Sequence, residues 1–348
     1  MDKISVSEAL KVKKKSIIID VRAPKEFLEA SIPGAINLPI FDDMERSEVG
    51  TAYKQIGKEE AVELGVKLVS PKLEAMTKTI MSYAKEYDKV IIYCWRGGMR
   101  SESICKLMQT LIKGSVYQLD GGFKAYRKFV MDYNENNISS KKFIVLHGLT
   151  GVGKTRILVG LDELKYPILD LEGLANNAGS VFGNILYPKK QPTQKDFEAL
   201  LFETVYFADT DYFYVESESK RIGAVSIPET YMAEMSKGIH ILISTTTVDI
   251  RMDNLILDYK ENIDDESIIK CLNHLRKQLS NDTVDNLIEM LNDGKLDQLV
   301  KILLVDYYDA LYKYSIEKYE PYDYKVEYAK IQGAVDEIAG LYETIIAN

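Results

Sequence analysis

The stretch "YCWRGGMRS", Tyr93 to Ser101, sets a cysteine at the end of an apolar run, followed by two arginines and a glycine pair in the next six residues. If "KVIIYC" (89–94) is a central strand, Cys94 stands at its carboxyl end. Trp95 to Arg100 then form a short loop into a helix that starts near Ser101. Loop N–H groups, the helix amino terminus and the charges of Arg96 and Arg100 all favour thiolate over thiol and lower the cysteine pKa. The same pocket would receive an oxyanion carried by a substrate. The competing reading is a buried, inert thiol. Gly97 and Gly98, with the two arginines, favour the reactive one. Cys105 and Cys271 read as packing cysteines.

A second constellation lies about fifty residues on. Gly148, Gly153, Lys154 and Thr155 in "GLTGVGKT" fit the phosphate-loop spacing, with the strand "KKFIVLH" before and the helix "KTRILVGLDEL" after. The glycines, Gly151 among them, let successive N–H groups, Thr150 included, converge on a phosphate, and the helix terminus adds partial positive charge. Lys154 would reach terminal phosphoryl oxygens, and the Thr155 hydroxyl is where Mg²⁺ would sit. Any diphosphate or phosphate ester suits such a cradle. Asp170 and Glu172 in "LDLEGLANNAGSVFG" (169–183), and Glu216 and Glu218 in "VESESKRIG" (215–223), fall at the ends of two further strands. In a doubly wound sheet those ends face the ligand crevice. The carboxylates then read as donor or metal contacts and Arg221 as a phosphate contact; the competing reading is a solvated charged loop. His147 reads as a satisfied buried residue.

Alternating strand and helix signals must position these groups. Residues 1–133 carry "SIIIDV", "KVIIYC" and the weaker "SVYQLDGG", with helical spacing between them, an α/β pattern with a parallel sheet. Residues 134–142 are polar and read as a linker. A second α/β domain follows over 143–250, with strands "FIVLHG", "YPILDLE", "DYFYVE" and "IHILIST". Strand signals stop near residue 247, so 251–348 reads as a helical C-terminal appendage. Its Tyr-rich part (307–328) is either core packing or a stacking surface for bases.

Bulk properties narrow the class. Three cysteines in 348 residues make no disulfide framework, and the amino-terminal residues show no apolar signal region. A reducing cytoplasm is expected, with no membrane attachment. The net charge is −9, but 20 of the 53 acidic and only 11 of the 44 basic residues lie from Arg251 onward, leaving 33 of each before it. Bulk attraction is therefore not the main device for gripping a polyanion; local basic loops would be.

"IIIDVRAPKEF", "IPGAINLP" and "YCWRGGMRS" together resemble a rhodanese domain, a sulfur- or selenium-transfer module. With "ERSEVGTAYKQIGKEEAVELG" (45–65), the phosphate loop, "LDLEGLA…GSVFG", "ESESKRIG" and "LLVDYYDALY", the ordered set resembles the tRNA 2-selenouridine synthase family. The resemblance implies a rhodanese-like parallel-sheet domain followed by a P-loop α/β domain. It implies replacement of sulfur by selenium in wobble 2-thiouridine of tRNAs for Lys, Glu and Gln, with selenophosphate as donor. It implies an S-geranyl intermediate made from geranyl diphosphate, with Cys94 matching the catalytic cysteine thought to carry selenium. Selenophosphate and geranyl diphosphate enter as co-substrates, with no tightly bound cofactor, and a selenophosphate-producing enzyme is an indirect partner. One departure stands out: Asn177-Ala178 replace an expected His-Arg pair. The rival readings are an ATP-dependent kinase or sulfurtransferase fusion using persulfide sulfur, and a non-catalytic tRNA-binding regulator.

Overall fold

The computed structural model describes residues 2–178, 190–259 and 264–347. The chain forms two compact units, Met1–Tyr133 and Asn134–Asn348.

The first unit is built on five parallel strands, β1 (Lys3–Ile4), β2 (Ser16–Asp20), β3 (Ile36–Asn37), β4 (Lys89–Tyr93) and β5 (Val116–Leu119), in the order β1-β5-β4-β2-β3. β4 lies centrally, with Ile92 opposite Ile19 and Tyr93 opposite Asp20 on β2. Val90 to Tyr93 are buried without a break. Unbroken burial is expected where helices cover both faces of a parallel sheet, and it explains why "KVIIY" does not alternate. Beyond β2, the Arg22 guanidinium grips both oxygens of the Asp20 carboxylate, donates to the Ala30 carbonyl and lies 4.2 Å from the Phe123 ring centre. This buried pair is supported by further hydrogen bonds, from the Arg22 N–H to Asp20 and from the guanidinium to Ala30, which is the condition under which such a pair is tolerated.

In the second unit β6 (Lys142–His147), β7 (Ile168–Leu169), β8 (Tyr212–Glu216), β11 (Ile239–Thr245) and β12 (Tyr324–Tyr328) form a parallel sheet ordered β12-β11-β6-β8-β7. β9 (Arg221–Ile222) and β10 (Val225–Ser226) make a small antiparallel hairpin. The central position of β6 sets the loop that follows it at the middle of the sheet's carboxyl edge.

Two sequence expectations change. The polar stretch 134–142 is built into the second unit rather than left as a free tether. Asn134 is buried, accepting from the Tyr231 hydroxyl and donating to the Glu198 carbonyl, and Ile138 is fully buried. The C-terminal region is not an all-helical appendage. "YKVEY" is the edge strand β12, paired along β11 from Ile241↔Tyr324 to Thr245↔Tyr328. The helix Ile331–Ala347 packs Val335, Ile338 and Ala339 into the same core as Leu146 and Leu158. An edge strand with alternating burial carries a weaker signal than a central run, and the neighbouring tyrosines masked it. The helices between residues 264 and 317 form a core of their own, around Leu272, Leu275, Val284 and Leu287. Of the Tyr-rich part, Tyr308, Tyr322 and Tyr328 are buried packing residues, whereas Tyr314 is exposed.

Candidate functional site

Cys94 follows β4 directly and is 3% exposed. Its Sγ lies 3.2 Å from the Ser101 hydroxyl and 3.7 Å from the Gly98 carbonyl. The Ser101 hydroxyl also reaches the Gly98 carbonyl at 3.3 Å and accepts a hydrogen bond from Gln118 Nε2 at 2.8 Å. A thiol therefore has a carbonyl to donate to, and a thiolate has a hydroxyl whose proton can turn toward it. Ser101 and Gln118 are both fully buried. Neither was singled out in the sequence as a partner of the cysteine, because Gln118 arrives from β5 and only the strand order brings it here.

The loop is clamped from behind. Phe123 and Lys124 N–H, at the start of the helix Gly122–Asn136, donate to the Cys94 and Trp95 carbonyls at 2.9 Å. In a trans peptide the N–H points opposite the carbonyl, so the Trp95 and Arg96 amides face away from this clamp. Gly97 (φ 65°) and Gly122 (φ 59°) make this approach possible: a Cβ on Gly122 would stand 2.2 Å from the Cys94 carbonyl oxygen. Only glycine fits there. The "DGG" that ends the weak β5 signal was thus the other half of the cysteine loop.

The two arginines divide. Arg100 is held by Glu26, at 2.5 Å and 3.2 Å, with Arg46 also close to that carboxylate. Burial alone would raise the Glu26 pKa, but hydrogen bonds and charge from Arg100 outweigh it and lower the value. Arg100 therefore fixes the helix Pro24–Glu29 against the loop rather than offering an unpaired charge, whereas Arg96 is exposed. Gly98 caps the helix Met99–Leu111.

The phosphate loop runs from Gly148 to Gly153, and the helix Lys154–Glu163 begins where the motif places it. Three consecutive carbonyls are held from behind: Thr150 by Arg251 Nε (2.8 Å), Gly151 by Asn254 Nδ2 (2.9 Å) and Val152 by the Tyr328 hydroxyl (3.1 Å). By the same peptide geometry the N–H groups of Gly151 and Gly153 face away from these props. Lys154 Nζ rests 3.3 Å from the Gly148 carbonyl, and the Thr155 hydroxyl donates to Glu172 at 3.1 Å. All three props come from the C-terminal region, where the sequence showed no chemistry. His147 is buried as expected, 2.8 Å from His240 Nδ1, and burial, with His240 and Lys154 nearby, pushes its pKa down to about 3.

The four carboxylates do converge. Asp170 caps the short helix Leu171–Ala175 by accepting from the Gly173 N–H at 2.8 Å. Glu216 accepts from the Glu172 N–H at 3.0 Å, and its Oε2 is buried with no partner. Burial first, then mutual repulsion, raises the pKa of Glu216 well above the usual carboxylate range and that of Glu218 to about 8. Burial also raises Glu172, against the pull of Lys154 and Thr155. Arg221 stays apart: it is exposed and donates to the Gly223 carbonyl in its own hairpin. Asn177 is buried close to Gly223; Gly179 to Gly183 of that motif lie outside the described residues. Tyr312 was also not foreseen. Burial, with Glu218 and Glu172 next in effect, pushes its pKa up to about 12, which sets it beside the carboxylates.

Among the described residues no group of three or more His, Cys, Asp and Glu side chains is arranged to enclose a metal ion. The set still fits Mg²⁺. A hydroxyl, the Glu172 carboxylate and the unpartnered Glu216 oxygen are hard oxygen donors, and Mg²⁺ at phosphate sites keeps waters and phosphate oxygens as its remaining ligands.

A cysteine loop on a parallel sheet and a phosphate loop on a second sheet define a rhodanese-like unit joined to a P-loop unit. Comparison with known proteins agrees. The rhodanese-like domain family matches residues 5–129, and the family "tRNA 2-selenouridine synthase AAA domain" matches residues 141–340. The tRNA 2-selenouridine synthase of Marinobacter nauticus is 40% identical over 253 residues, 71% of this chain and 66% of that protein. That of Bdellovibrio bacteriovorus is 38% identical over 251 residues, 70% of this chain and 64% of the relative. That of a Sulfurovum species is 33% identical over 329 residues, covering 89% and 88%. The chain thus spans just under two thirds of the first two relatives and most of the third. It belongs to the tRNA 2-selenouridine synthase family.

Proposed function

We propose that the protein is an enzyme that replaces sulfur by selenium in wobble 2-thiouridine of tRNAs for Lys, Glu and Gln. In the first step the 2-thio sulfur attacks the allylic carbon of geranyl diphosphate. The carbon–oxygen bond breaks, and diphosphate leaves with the electron pair. In the second step the C2–Se bond forms as the C2–S bond breaks and geranylthiolate departs. Selenophosphate supplies the selenium, and water takes its phosphoryl group. Sulfur alone is a poor leaving group from C2; alkylation makes it a good one.

The phosphate loop is assigned the donor phosphates, through the Gly151 and Gly153 amides and Lys154. Mg²⁺ at Thr155 and the carboxylates would neutralise the departing diphosphate. Cys94 is assigned the selenium step, with Ser101 stabilising charge on its sulfur. The observation that carries the reading is the presence in one chain of both loops in the order of a family whose relatives are named for 2-selenouridine synthesis. Cysteines that form no disulfide and the lack of any helix long and apolar enough to cross a membrane, among the described residues, suit work on tRNA in the cytoplasm.

The test supplies purified protein with 2-thiouridine tRNA, geranyl diphosphate and selenophosphate and reads the nucleosides by mass. The geranylated base should appear with the first donor alone and the selenated base with both. Nucleotide hydrolysis with neither product would favour the ATP-dependent sulfurtransferase instead.

A further inference from the structure

Cys94 and Arg100 line one cavity of about 850 Å³ in the first unit. Five residues separate them in the chain, and Ser101 follows directly. The charged residues of the lining, Arg46, Lys54, Arg96 and Arg100, are all positive; among the described residues no Asp or Glu lines the cavity. A small anion is drawn to such a wall. Glu26 lies outside the lining and engages the Arg100 guanidinium at 2.5 Å and 3.2 Å. A guanidinium carries five N–H donors in a rigid fork, so one carboxylate orients it without exhausting it. The Ser101 hydroxyl stands 3.2 Å from the sulfur, steadied by Gln118. One nucleophile thus has a cation for the oxygens of an incoming group and a hydroxyl for its own charge when it departs.

That set fits attack on phosphorus. In selenophosphate the selenium end is electron-rich, and phosphorus is the electrophile. A thiolate that took the selenium atom would leave the bonding pair on phosphorus and reduce phosphate to phosphite. Placing selenium on sulfur while phosphorus stays phosphate needs an added oxidant, and the reaction has none. Attack on phosphorus balances without one. We infer that Cys94 is the phosphoryl acceptor of the reaction: its thiolate attacks the phosphorus of selenophosphate, with Arg100 on the phosphoryl oxygens and Ser101 on the sulfur. The S–P bond forms as the P–Se bond breaks, and hydrogenselenide leaves with the electron pair and the donor's proton. Water then attacks phosphorus, the S–P bond breaks, and the pair returns to the Cys94 sulfur, which Ser101 stabilises. The inference rests on the function proposed above and changes what the cysteine carries. The thiol holds phosphate for a moment, while selenium stays reduced and ready to attack C2. Hydrogenselenide is a weak base, so its departure needs no general acid. None is offered by Glu26: burial would raise its pKa, but Arg100 lowers it, and the carboxylate is ionised.

The full-length protein is mixed with selenophosphate or inorganic thiophosphate, alone and with RNA containing S-geranyl-2-thiouridine, then quenched in guanidinium chloride and digested. The Cys94 peptide should gain a phosphoryl group that survives dithiothreitol, and released selenide or sulfide should match released phosphate. With thiophosphate, a phosphoryl group and a bare sulfur atom on the peptide differ plainly in mass. Ser101→Ala should slow departure of the thiolate, raising the phosphorylated fraction and cutting phosphate release roughly tenfold. Arg100→Lys keeps the charge but not the fork, and should cut formation of the adduct roughly tenfold with melting temperature unchanged. A Cys94 adduct that dithiothreitol strips would overturn the inference, as would phosphite as the phosphorus product. The absence of phosphorylated Cys94 from both the parent and Ser101→Ala, with and without RNA, would also overturn it. Nucleosides from parallel reactions separate the two readings. Selenated base without phosphorylated Cys94 sinks the phosphoryl role and leaves the function standing; phosphorylated Cys94 without any selenated base does the reverse.

Discussion

The sulfur of Cys94 is served by one hydroxyl, and that hydroxyl is oriented by one amide. Removing the hydroxyl in Ser101→Ala deletes the donor that would face a thiolate and strips Gln118 of an acceptor in a dry interior. A hydrogen bond to a charged group contributes about 1.5–3 kcal/mol, so thiolate alkylation by iodoacetamide at neutral pH should slow roughly tenfold or more. An unchanged rate would show that Ser101 only packs. Cys94→Ser should abolish the selenated nucleoside and leave the geranylated one accumulating. Loss of both would place the two steps at one thiol. At the carboxylates the direction is set by linkage. Glu218 has a folded pKa raised from 4.5 to about 8, so the native state holds its proton more tightly than the unfolded chain does. Its contribution to stability is present at low pH and fades as pH rises across that interval. Glu218→Gln keeps a neutral group there. Its melting temperature relative to the parent should therefore climb by roughly 2–4 °C between about pH 5 and about pH 8, from an effect on the order of 1 kcal/mol. A flat difference would mean that Glu218 is ionised throughout. Cys94, Lys154 and Thr155 were legible in the sequence because each belongs to a local spacing with a physical purpose. Ser101 was in plain sight in the first turn of the helix, but its partnership with Gln118 depends on β5 lying beside β4, which no local pattern encodes.

At the level of elements, both loops are shaped from behind by segments distant in the chain. The strands that carry the loops announced themselves as β-branched runs, since central parallel strands are buried on both faces. The props did not. Gly122 sits at the end of a weak strand signal, and its role follows from a carbonyl that only the fold brings close. Gly122→Ala would force a Cβ into the Cys94 carbonyl at a positive φ, at a cost of roughly 3 kcal/mol or more to the first unit. Urea unfolding followed through Trp95 would show it, whereas Gly114→Ala, with open space around its Cβ, should show only the smaller strain of its φ of 82°. Asn254 holds the Gly151 carbonyl and the Tyr328 hydroxyl together. Asn254→Ala leaves the half-buried Gly151 carbonyl without that donor, costing about 1 kcal/mol. Pyrophosphate affinity should fall several-fold in calorimetry while Cys94 alkylation in the other unit stays unchanged. If affinity is unaltered, the loop holds its shape without the prop.

The whole chain divides at Tyr133, and each unit owns a core, but the second unit does not end where its strand signals fade. Residues 251–348 looked like an appendage because edge strands and tyrosine-rich helices carry weak periodicity. They supply Val326, Tyr328, Ala334, Val335, Ile338 and Ile345 to the core under the phosphate loop. Each large buried side chain contributes about 1.5–3 kcal/mol, so losing this set removes on the order of 10 kcal/mol. That is comparable to the roughly 5–15 kcal/mol by which a domain is stable at all. A fragment covering 134–250 keeps the entire phosphate-loop motif and all four carboxylates, yet it should melt without a cooperative transition and bind no pyrophosphate. The fragment 134–348 should melt cooperatively and bind pyrophosphate, and 1–133 should fold alone with Cys94 alkylated at the full-length rate. Cooperative melting of 134–250 would make the C-terminal strand and helix an accessory. Its failure, beside two folded neighbours, would establish that the phosphate-loop motif becomes a binding site only when β12 and the helix after it close the sheet behind it.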